Sequence, residues 1–154
     1  MSLPGAGIYA WALKDVQIVG NSISHSRGPA ISSVGGTHVI IATNLLVADS
    51  MVNASAITVL GSTDVMIQGN NARGFGQAIA VGTDAGKCDR VQISGNSLDL
   101  SGMLSNASGV LVGSSTARVL VADNVVSGSS GLASCVRIEG ATVATRSSRD
   151  NMCW

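Results

Sequence analysis

The stretch that decides the fold is Val91-Gln92-Ile93-Ser94-Gly95-Asn96-Ser97-Leu98. Its valine and isoleucine alternate with polar residues, which is the period-2 pattern of a half-buried β-strand. A Gly-Asn pair, typical of a turn, comes next, and a second short apolar run begins after it. The segment therefore predicts two strands joined by a sharp bend.

The same pattern recurs along the chain. It begins at Val16, Val39, Val65, Val91 and Val119. Its asparagines, 23 to 28 residues apart, are Asn21, Asn44, Asn70, Asn96 and Asn124. Upstream of each copy lies another alternating strand headed by a small residue, as in Gly7-Ile8 and Ala30-Ile31. Because one unit of roughly 25 residues cannot bury its apolar face alone, the repeat predicts a stack of coils.

We therefore expect an all-β chain that forms a single right-handed parallel β-helix over residues 1–154, with about five to six coils and three short strands per coil. The expected coils are 6–28, 29–53, 54–76, 77–106 and 107–130, followed by a degenerate sixth coil and C-terminal cap over 131–154. Hairpin turns in an antiparallel sandwich or barrel are the alternative reading of the Gly-Asn pairs. That alternative does not explain why the same apolar pattern surrounds every asparagine.

Inward-facing residues of successive coils are expected to form three internal columns. The first column is Ile8, Ile31, Ile57, Ile79, Val110 and Val136. The second is Val16, Val39, Val65, Val91 and Val119, and the third is Ile18, Ile41, Ile67, Ile93 and Val121. The repeat asparagines are expected to adopt positive φ at the bend and to form a hydrogen-bonded ladder. That ladder would end at Asn124, which faces only Ser148 of the sixth coil.

Composition excludes several classes of function. Hydrophobic residues make up 45% of the chain and aromatic residues 3%, as expected for short buried strands. Nine basic and nine acidic residues give zero net charge, which removes the electrostatic argument for nucleic acid. No apolar run approaches the ~18 residues of a membrane-spanning helix, and no signal peptide is visible.

The three cysteines, Cys88, Cys135 and Cys153, lie at no ligand-like spacing. They predict small apolar side chains, with neither a zinc site nor a disulfide framework. We expect no metal and no cofactor.

The repeat resembles that of the pectin-lyase-like superfamily of right-handed parallel β-helices, over about residues 6–140. The resemblance lies in the shape of the repeat and in no catalytic motif. It implies a polysaccharide-handling protein, since the superfamily includes pectate lyases, polygalacturonases, alginate epimerases and phage tailspikes. An extracellular, cell-surface or virion-surface location is implied by the resemblance alone.

The catalytic signatures of that superfamily are absent from the sequence. Neither Gly-His-Gly nor Arg-x-Lys, typical of polygalacturonases, occurs. The nine carboxylates are spread one or two per coil, so the sequence shows no calcium cluster of the pectate-lyase kind. No residue is therefore assigned a catalytic role.

Two groups of outward residues are candidate binding residues. The residue before each repeat valine gives a column of charge: Asp15, His38, Asp64, Arg90 and Arg118. A histidine between two carboxylates is a candidate base or pH sensor, and the alternative is a solvated ladder of weak ion pairs. Tyr9 and Trp11 point outward from the first strand and suit a sugar ring, or else they cover an interface.

The outward positions also predict association. Several of them are apolar: Ile40, Leu45, Val47, Met66, Leu111, Leu120 and Val125. Because only 12% of the residues are charged, patches of this kind favour an interface. We expect a homo-oligomer, or adjoining β-helix coils of a longer chain, with polysaccharide as a further partner.

Two functions follow from these observations. The first is a non-catalytic β-helix module with a structural or carbohydrate-binding role in a larger or oligomeric polysaccharide-associated assembly. The alternative is a small polysaccharide lyase, hydrolase or epimerase. The missing carboxylate clusters favour the first.

Overall fold

The computed structural model describes residues 7–83, 86–102, 107–128, 134–139 and 146–154, with the backbone alone at 50–51 and 146–148. Every regular element among these residues is a β-strand, and the strands pair in parallel. The predicted all-β parallel β-helix is confirmed, with about five turns. No helix in the described residues is long and apolar enough to cross a membrane.

The strands follow the coils in chain order. Coils 1 and 2 begin with β1 (Ile8–Trp11), β2 (Lys14–Val19), β3 (Ser22–Ile23), β4 (Ile31–Val34) and β5 (Thr37–Ala42). Coils 2 to 4 continue with β6 (Leu45–Leu60), β7 (Thr63–Gln68), β8 (Asn71–Val81), β9 (Asp89–Ser94) and β10 (Ser97–Leu100). Coil 5 contains β11 (Ser108–Val112), β12 (Val119–Ala122) and β13 (Val125–Gly128). Coil 6 contains β14 (Ser134–Ile138), β15 (Arg146–Arg149) and β16 (Met152–Cys153).

The coils do not all contain three separate short strands. Strands β6 and β8 each join the third strand of one coil to the first strand of the next. The pairing of β6 with β8 shifts register between Val47 and Val52 and again between Val52 and Ser55. Such irregularities bend a strand locally, so the chain turns this corner without leaving the sheet. One six-stranded sheet, in the order β15-β12-β9-β7-β5-β2, forms the second face, and a ten-stranded sheet wraps the other two.

The predicted core columns are confirmed by the strand register. Val65 pairs with Val39 on one side and Val91 on the other. Ile31 pairs with Ile8 and Ile57 in the first face. Their side chains fill the interior because alternate residues of each strand face inward and equivalent positions stack.

The bend before each third strand differs from the predicted geometry. The positive φ lies on the residue before the asparagine, with values of 53° to 70° at Gly20, Thr43, Gly69, Gly95 and Asp123. Because that residue carries the left-handed conformation, the asparagine itself does not, and its side chain turns into the interior. The expectation of positive φ at the asparagines was therefore wrong.

Inside the bend the asparagine side chains form a column. Asn44 donates from Nδ2 to Asn70 Oδ1 at 2.9 Å and to the carbonyl of Ile18 at 2.9 Å. The same arrangement recurs one coil later, where Asn70 donates to Asn96. The side chains of Asn44, Asn70, Asn96 and Asn124 are all buried. Each amide thus satisfies backbone groups that the bend leaves unpaired.

The C-terminal residues correct two expectations. Asn124 faces Asn151 and not Ser148, since its Nδ2 donates to Asn151 Oδ1 at 2.8 Å. Residues 146–154 are also more regular than the predicted cap, because β15 pairs with β12 and β16 with β13. The column of asparagines therefore extends into coil 6.

The absence of a disulfide was also wrongly predicted, because Cys135 and Cys153 are bonded, with Cα atoms 6.0 Å apart. In coils 1 and 5 the glycine that precedes the first strand's inward residue lies against the apolar residue of the third strand, as Gly7 does against Ile23. At Gly109 an added Cβ would lie only 2.7 Å from Val126. Coil 6 places cysteine at both equivalent positions, so the two sulfurs meet.

The third cysteine, Cys88, is a buried free thiol.

The outward apolar positions differ in their exposure. Leu45 is 44% exposed, whereas Leu111 is buried, contrary to expectation. The remaining five are half-buried: Ile40, Val47, Met66, Leu120 and Val125. The large exposed apolar side chains lie mainly elsewhere, in coils 1 and 6.

Candidate functional site

The residues before the repeat valines share an unusual backbone conformation. Their φ angles are positive, from 38° to 55°, at Asp15, His38, Asp64, Arg90 and Arg118. The register shows where they lie: Lys14 pairs with Thr37 and Val16 with Val39, while the residue between them has no ladder partner in either strand. Because both strands have one residue at this point, the register is kept, and the left-handed conformation turns the side chain outward from the sheet. We call these five residues the charged column.

In the first half of the charged column, a histidine bridges two carboxylates. His38 Nδ1 lies 3.2 Å from Asp15 Oδ1, and His38 Nε2 lies 3.7 Å from Asp64 Oδ2. The contact with Asp15 is within hydrogen-bond distance, whereas the contact with Asp64 is only within ion-pair distance. The side chains of Asp15 and His38 are well exposed, at 80% and 63%, so both remain accessible to a ligand.

In the second half, two guanidinium groups bind two carboxylates. Arg90 donates from Nε to Asp64 and from Nη2 to Asp64 Oδ2 at 2.6 Å, and it also contacts Asp89 Oδ2 at 3.1 Å. Arg118 donates from Nε to Asp89 Oδ1 at 2.8 Å. The hydrogen bond from Arg90 holds the pKa of Asp64 below its ordinary value, and that from Arg118 does the same for the pKa of Asp89.

Asp89 was not among the residues predicted from the sequence. It begins β9 just after the longer connection of coil 4, one position before Arg90. From there its carboxylate reaches the guanidinium groups of two successive coils. Its position next to an arginine of the column was the available sequence signal.

Replacing Arg90 by glutamine is expected to raise the pKa of Asp64 toward its ordinary value of 3.8, because the hydrogen bonds that favour the carboxylate are lost. The lowered pKa of Asp64 also determines how stability depends on pH. The ion pair with Arg90 stabilises the fold above the ordinary pKa of the carboxyl group, and this contribution is lost as the pH falls through the lowered pKa. NMR titration of the aspartate carboxyl carbons measures both groups. Asp89, held mainly by Arg118, should change much less, and an unchanged Asp64 pKa would contradict the assignment.

Beside the charged column lies a shallow depression of about 310 Å³ on the outer side of β5, β7 and β9. Its lining combines charged, amide and apolar side chains: His38, Ile40, Asp64, Met66, Arg90 and Gln92. It crosses three coils and is open to solvent. The surface therefore presents hydrogen-bonding groups and apolar area together, along the axis of the stack.

The structure places the two candidate aromatic residues on a different face. Tyr9 and Trp11 are 59% and 68% exposed and lie on β1, next to Ser32 and Val34 of β4. The turn at residues 12 and 13 separates them from Asp15 at the start of the charged column. They do not line the depression, whose residues belong to coils 2 to 4, so the two groups do not form one site.

The described residues contain no group of three or more histidine, cysteine, aspartate or glutamate side chains arranged to hold a metal ion. The carboxyl groups of Asp15, Asp64 and Asp89, in and beside the column, are instead in contact with histidine or arginine. The chemistry of the site is that of ion pairs and hydrogen bonds.

By fold, the chain is a right-handed parallel β-helix. No protein-family profile and no curated protein matches its sequence. It is similar to a crystal structure of a mutant DFA-IIIase from Arthrobacter chlorophenolicus A6 in complex with DFA-III, with a TM-score of 0.62, 19% identity, and coverage of 79% of this chain and 26% of that one. It is also similar to the same enzyme solved without its lid, with a TM-score of 0.53, 15% identity, and coverage of 79% and 36%. The chain therefore spans about a quarter to a third of these proteins.

Proposed function

We propose that the protein is a non-catalytic β-helix module of the pectin-lyase-like superfamily, which binds carbohydrate within a larger or oligomeric polysaccharide-associated assembly. The observation that carries this proposal is the charged column together with the depression beside it. Both run along the stack, as a polymer lying on the surface would. A sugar chain offers hydroxyl groups to the ionised side chains and C–H faces to Ile40 and Met66.

The ion pairs of Asp64 and Asp89 argue against a general-acid role for either carboxylate. General acid catalysis of glycoside cleavage needs a carboxyl group that keeps its proton near the working pH, with a raised pKa. Asp64 and Asp89 have the opposite property, since their guanidinium partners lower the pKa of each. They are instead suited to accept hydrogen bonds from hydroxyl groups.

The fold supports an association with carbohydrate, and the disulfide supports a location outside the reducing cytosol. Both structural neighbours are DFA-IIIase, a carbohydrate-active β-helix enzyme, and one of them was solved with DFA-III bound. The bond between Cys135 and Cys153 suits an oxidising compartment, as found outside the cell or at a cell or virion surface. Exposed Tyr9 and Trp11 offer further contact area for sugar rings or for a partner chain.

Calorimetric titration against a panel of neutral and uronic-acid polysaccharides tests the proposal. We expect at least one polymer to bind, and Arg90→Gln to weaken that binding by about tenfold or more, because a charge-assisted hydrogen bond is lost at the centre of the column. Arg73→Gln is the matched control, since Arg73 is exposed on the third face of the same stack. Its affinity should equal that of the unmodified protein.

The same panel separates the two functional hypotheses. Binding without release of new reducing ends or unsaturated products supports the module. If the protein converts a polymer and the Asp64→Ala variant does not, the non-catalytic module is ruled out and the protein is a polysaccharide lyase, hydrolase or epimerase. If no polymer binds, or if Arg73→Gln and Arg90→Gln weaken binding equally, the charged column is not the binding surface.

A further inference from the structure

The charges at the centre of the charged column are balanced within the protein. Arg90 donates to both oxygens of Asp64 and from Nη1 to Asp89 at 3.1 Å. Arg118 donates from Nε and Nη2 to the two oxygens of Asp89. Two guanidinium groups thus face two carboxylates, and their formal charges cancel. A ligand that approaches this part of the column meets no positive charge without a partner.

The two carboxyl groups stay ionised in mildly acidic solution. The hydrogen bond from Arg90 lowers the pKa of Asp64, and the hydrogen bond from Arg118 lowers the pKa of Asp89, in each case from an ordinary value of 3.8. Above that ordinary value, protonation therefore releases neither guanidinium from its partner. The charge balance is a property of the surface over the whole neutral and mildly acidic range.

The strands around the depression add no further charge. Apart from the column and Asp89, the outward residues of β5, β7 and β9 are uncharged: Ile40, Ala42, Met66, Gln68, Gln92 and Ser94. The other described basic side chains on or beside this face are Lys14 in coil 1, Lys87 before β9 and Arg149 in coil 6. None of these three lines the depression. A bound anion would therefore find no cation of its own there.

The charge that remains in the column is negative. Asp15 is 80% exposed, and it contacts His38, which is uncharged unless it is protonated. A carboxylate on a bound sugar would meet a like charge at Asp15. It would also lose part of its hydration without gaining a cation in exchange. The surface thus disfavours sugar units that carry a carboxylate.

Neutral hydroxyl groups fit the same ion pairs without displacing them. A guanidinium has five N–H groups, and Arg118 uses two of them on Asp89, so about three remain for the oxygens of a ligand. A carboxylate can accept about four hydrogen bonds, and Asp64 accepts two from Arg90, so it can accept about two more. Because a hydroxyl group both donates and accepts, it can bind to either member of an ion pair.

We infer that this surface selects uncharged, hydroxyl-rich polysaccharide and discriminates against polymers of uronic acid. The inference rests on the proposed carbohydrate binding and names the class of ligand for that same site. Polygalacturonate and alginate, whose units carry carboxylates, should therefore bind more weakly than neutral polymers of the same backbone.

Calorimetric titration with matched pairs of polymers tests this selectivity. The first pairs are polygalacturonate and alginate, each compared with the same polymer after reduction of its carboxyl groups to hydroxymethyl groups. The others are the neutral polymers of the panel, each compared with its carboxymethyl derivative. At low ionic strength, where charge is least screened, we expect the uncharged member of each pair that binds to have at least about tenfold higher affinity. Added salt should reduce this difference.

Two variants connect the selectivity to the column. Asp89→Asn removes the carboxylate that holds Arg118, so the affinity for the charged polymers should rise by about tenfold. Asp15→Asn removes the like charge at an exposed position, where the fold does not depend on it, and should raise the same affinity several-fold. Asp49→Asn is the matched control, since it makes the same change of charge in β6, beside His25 and outside this face. Its selectivity should equal that of the unmodified protein.

The possible outcomes separate this inference from the proposed function. If charged polymers bind as tightly as their uncharged partners, or more tightly, the selectivity is overturned while carbohydrate binding stands. Selectivity that neither Asp15→Asn nor Asp89→Asn changes more than Asp49→Asn does would also overturn it, because the charged column would not be its cause. If no polymer binds, the proposed function fails, and this inference fails with it.

Discussion

Val65→Asp is expected to unfold the protein. Val65 is 2% exposed and lies in the second face between Val39 and Val91 of the adjoining coils. An aspartate there would place a carboxylate among aliphatic side chains with no partner, at a cost on the order of 4 kcal/mol or more. Since small domains have about 5–15 kcal/mol of stability in total, a loss of this size removes most of the stability of a domain at the lower end of that range. Circular dichroism during thermal unfolding measures the effect.

Gln68→Asp is the matched control for this substitution. Gln68 belongs to the same strand, β7, and its side chain is exposed. The same new charge should therefore change the free energy of unfolding by less than about 0.5 kcal/mol. Equal losses of stability for the two variants would show that the inward and outward residues of β7 have been wrongly assigned.

Asn70→Ala is expected to destabilise the protein strongly, as a substitution inside the asparagine column. Asn70 Oδ1 accepts from the backbone N–H and the Nδ2 of Asn44, and its own Nδ2 donates to the carbonyl of Ile41 and to Asn96. Alanine leaves these buried groups without partners, and each such group costs about 1–3 kcal/mol. We expect a loss on the order of 3 kcal/mol in the free energy of unfolding, because the neighbouring groups can relax only in part.

Asn21→Ala is the control. Asn21 is half-buried, and no group in the described part of the chain donates to its Oδ1, so its replacement should cost about 1 kcal/mol. Asn124→Ala should now resemble Asn70→Ala, since Asn124 is bonded to Asn96 on one side and Asn151 on the other. Urea unfolding of the three variants measures the differences. If Asn21→Ala were as costly as Asn70→Ala, the contacts within the column would not determine its stability.

The residues of the core could be predicted because short stretches of sequence show which side chains face inward. Alternation of apolar and polar residues decides which side chains face inward, and the nearly constant step between repeats decides which of them stack. Val39, Val65 and Val91 could therefore be assigned to one column before their pairing was known. The same spacing indicated that Asp15, His38 and Asp64 would lie in successive coils.

The geometry of the charged column was less accessible to sequence reasoning. These side chains are turned outward by a left-handed backbone conformation, and residue type alone does not predict positive φ at an arginine such as Arg90. Asp89 lies in register with Thr63 of the preceding coil, but the sequence did not show that its carboxylate reaches the guanidinium groups of Arg90 and Arg118. Its bonds to Arg90 and Arg118 then decide the pKa and the chemical role of the site.

By itself, the sequence determined that this protein is a stack of coils with an aliphatic interior and an asparagine at each repeated bend. Only the tertiary structure decided how the last coil is completed. Asn151 and not Ser148 continues the column, and Cys135 meets Cys153 although they are 18 residues apart. The physical reason is that a repeat specifies its own strands through short-range alternation, whereas contacts across a coil depend on how its three faces close. That closure is a property of the whole coil, and the degenerate sixth repeat contains too little of the pattern to specify it.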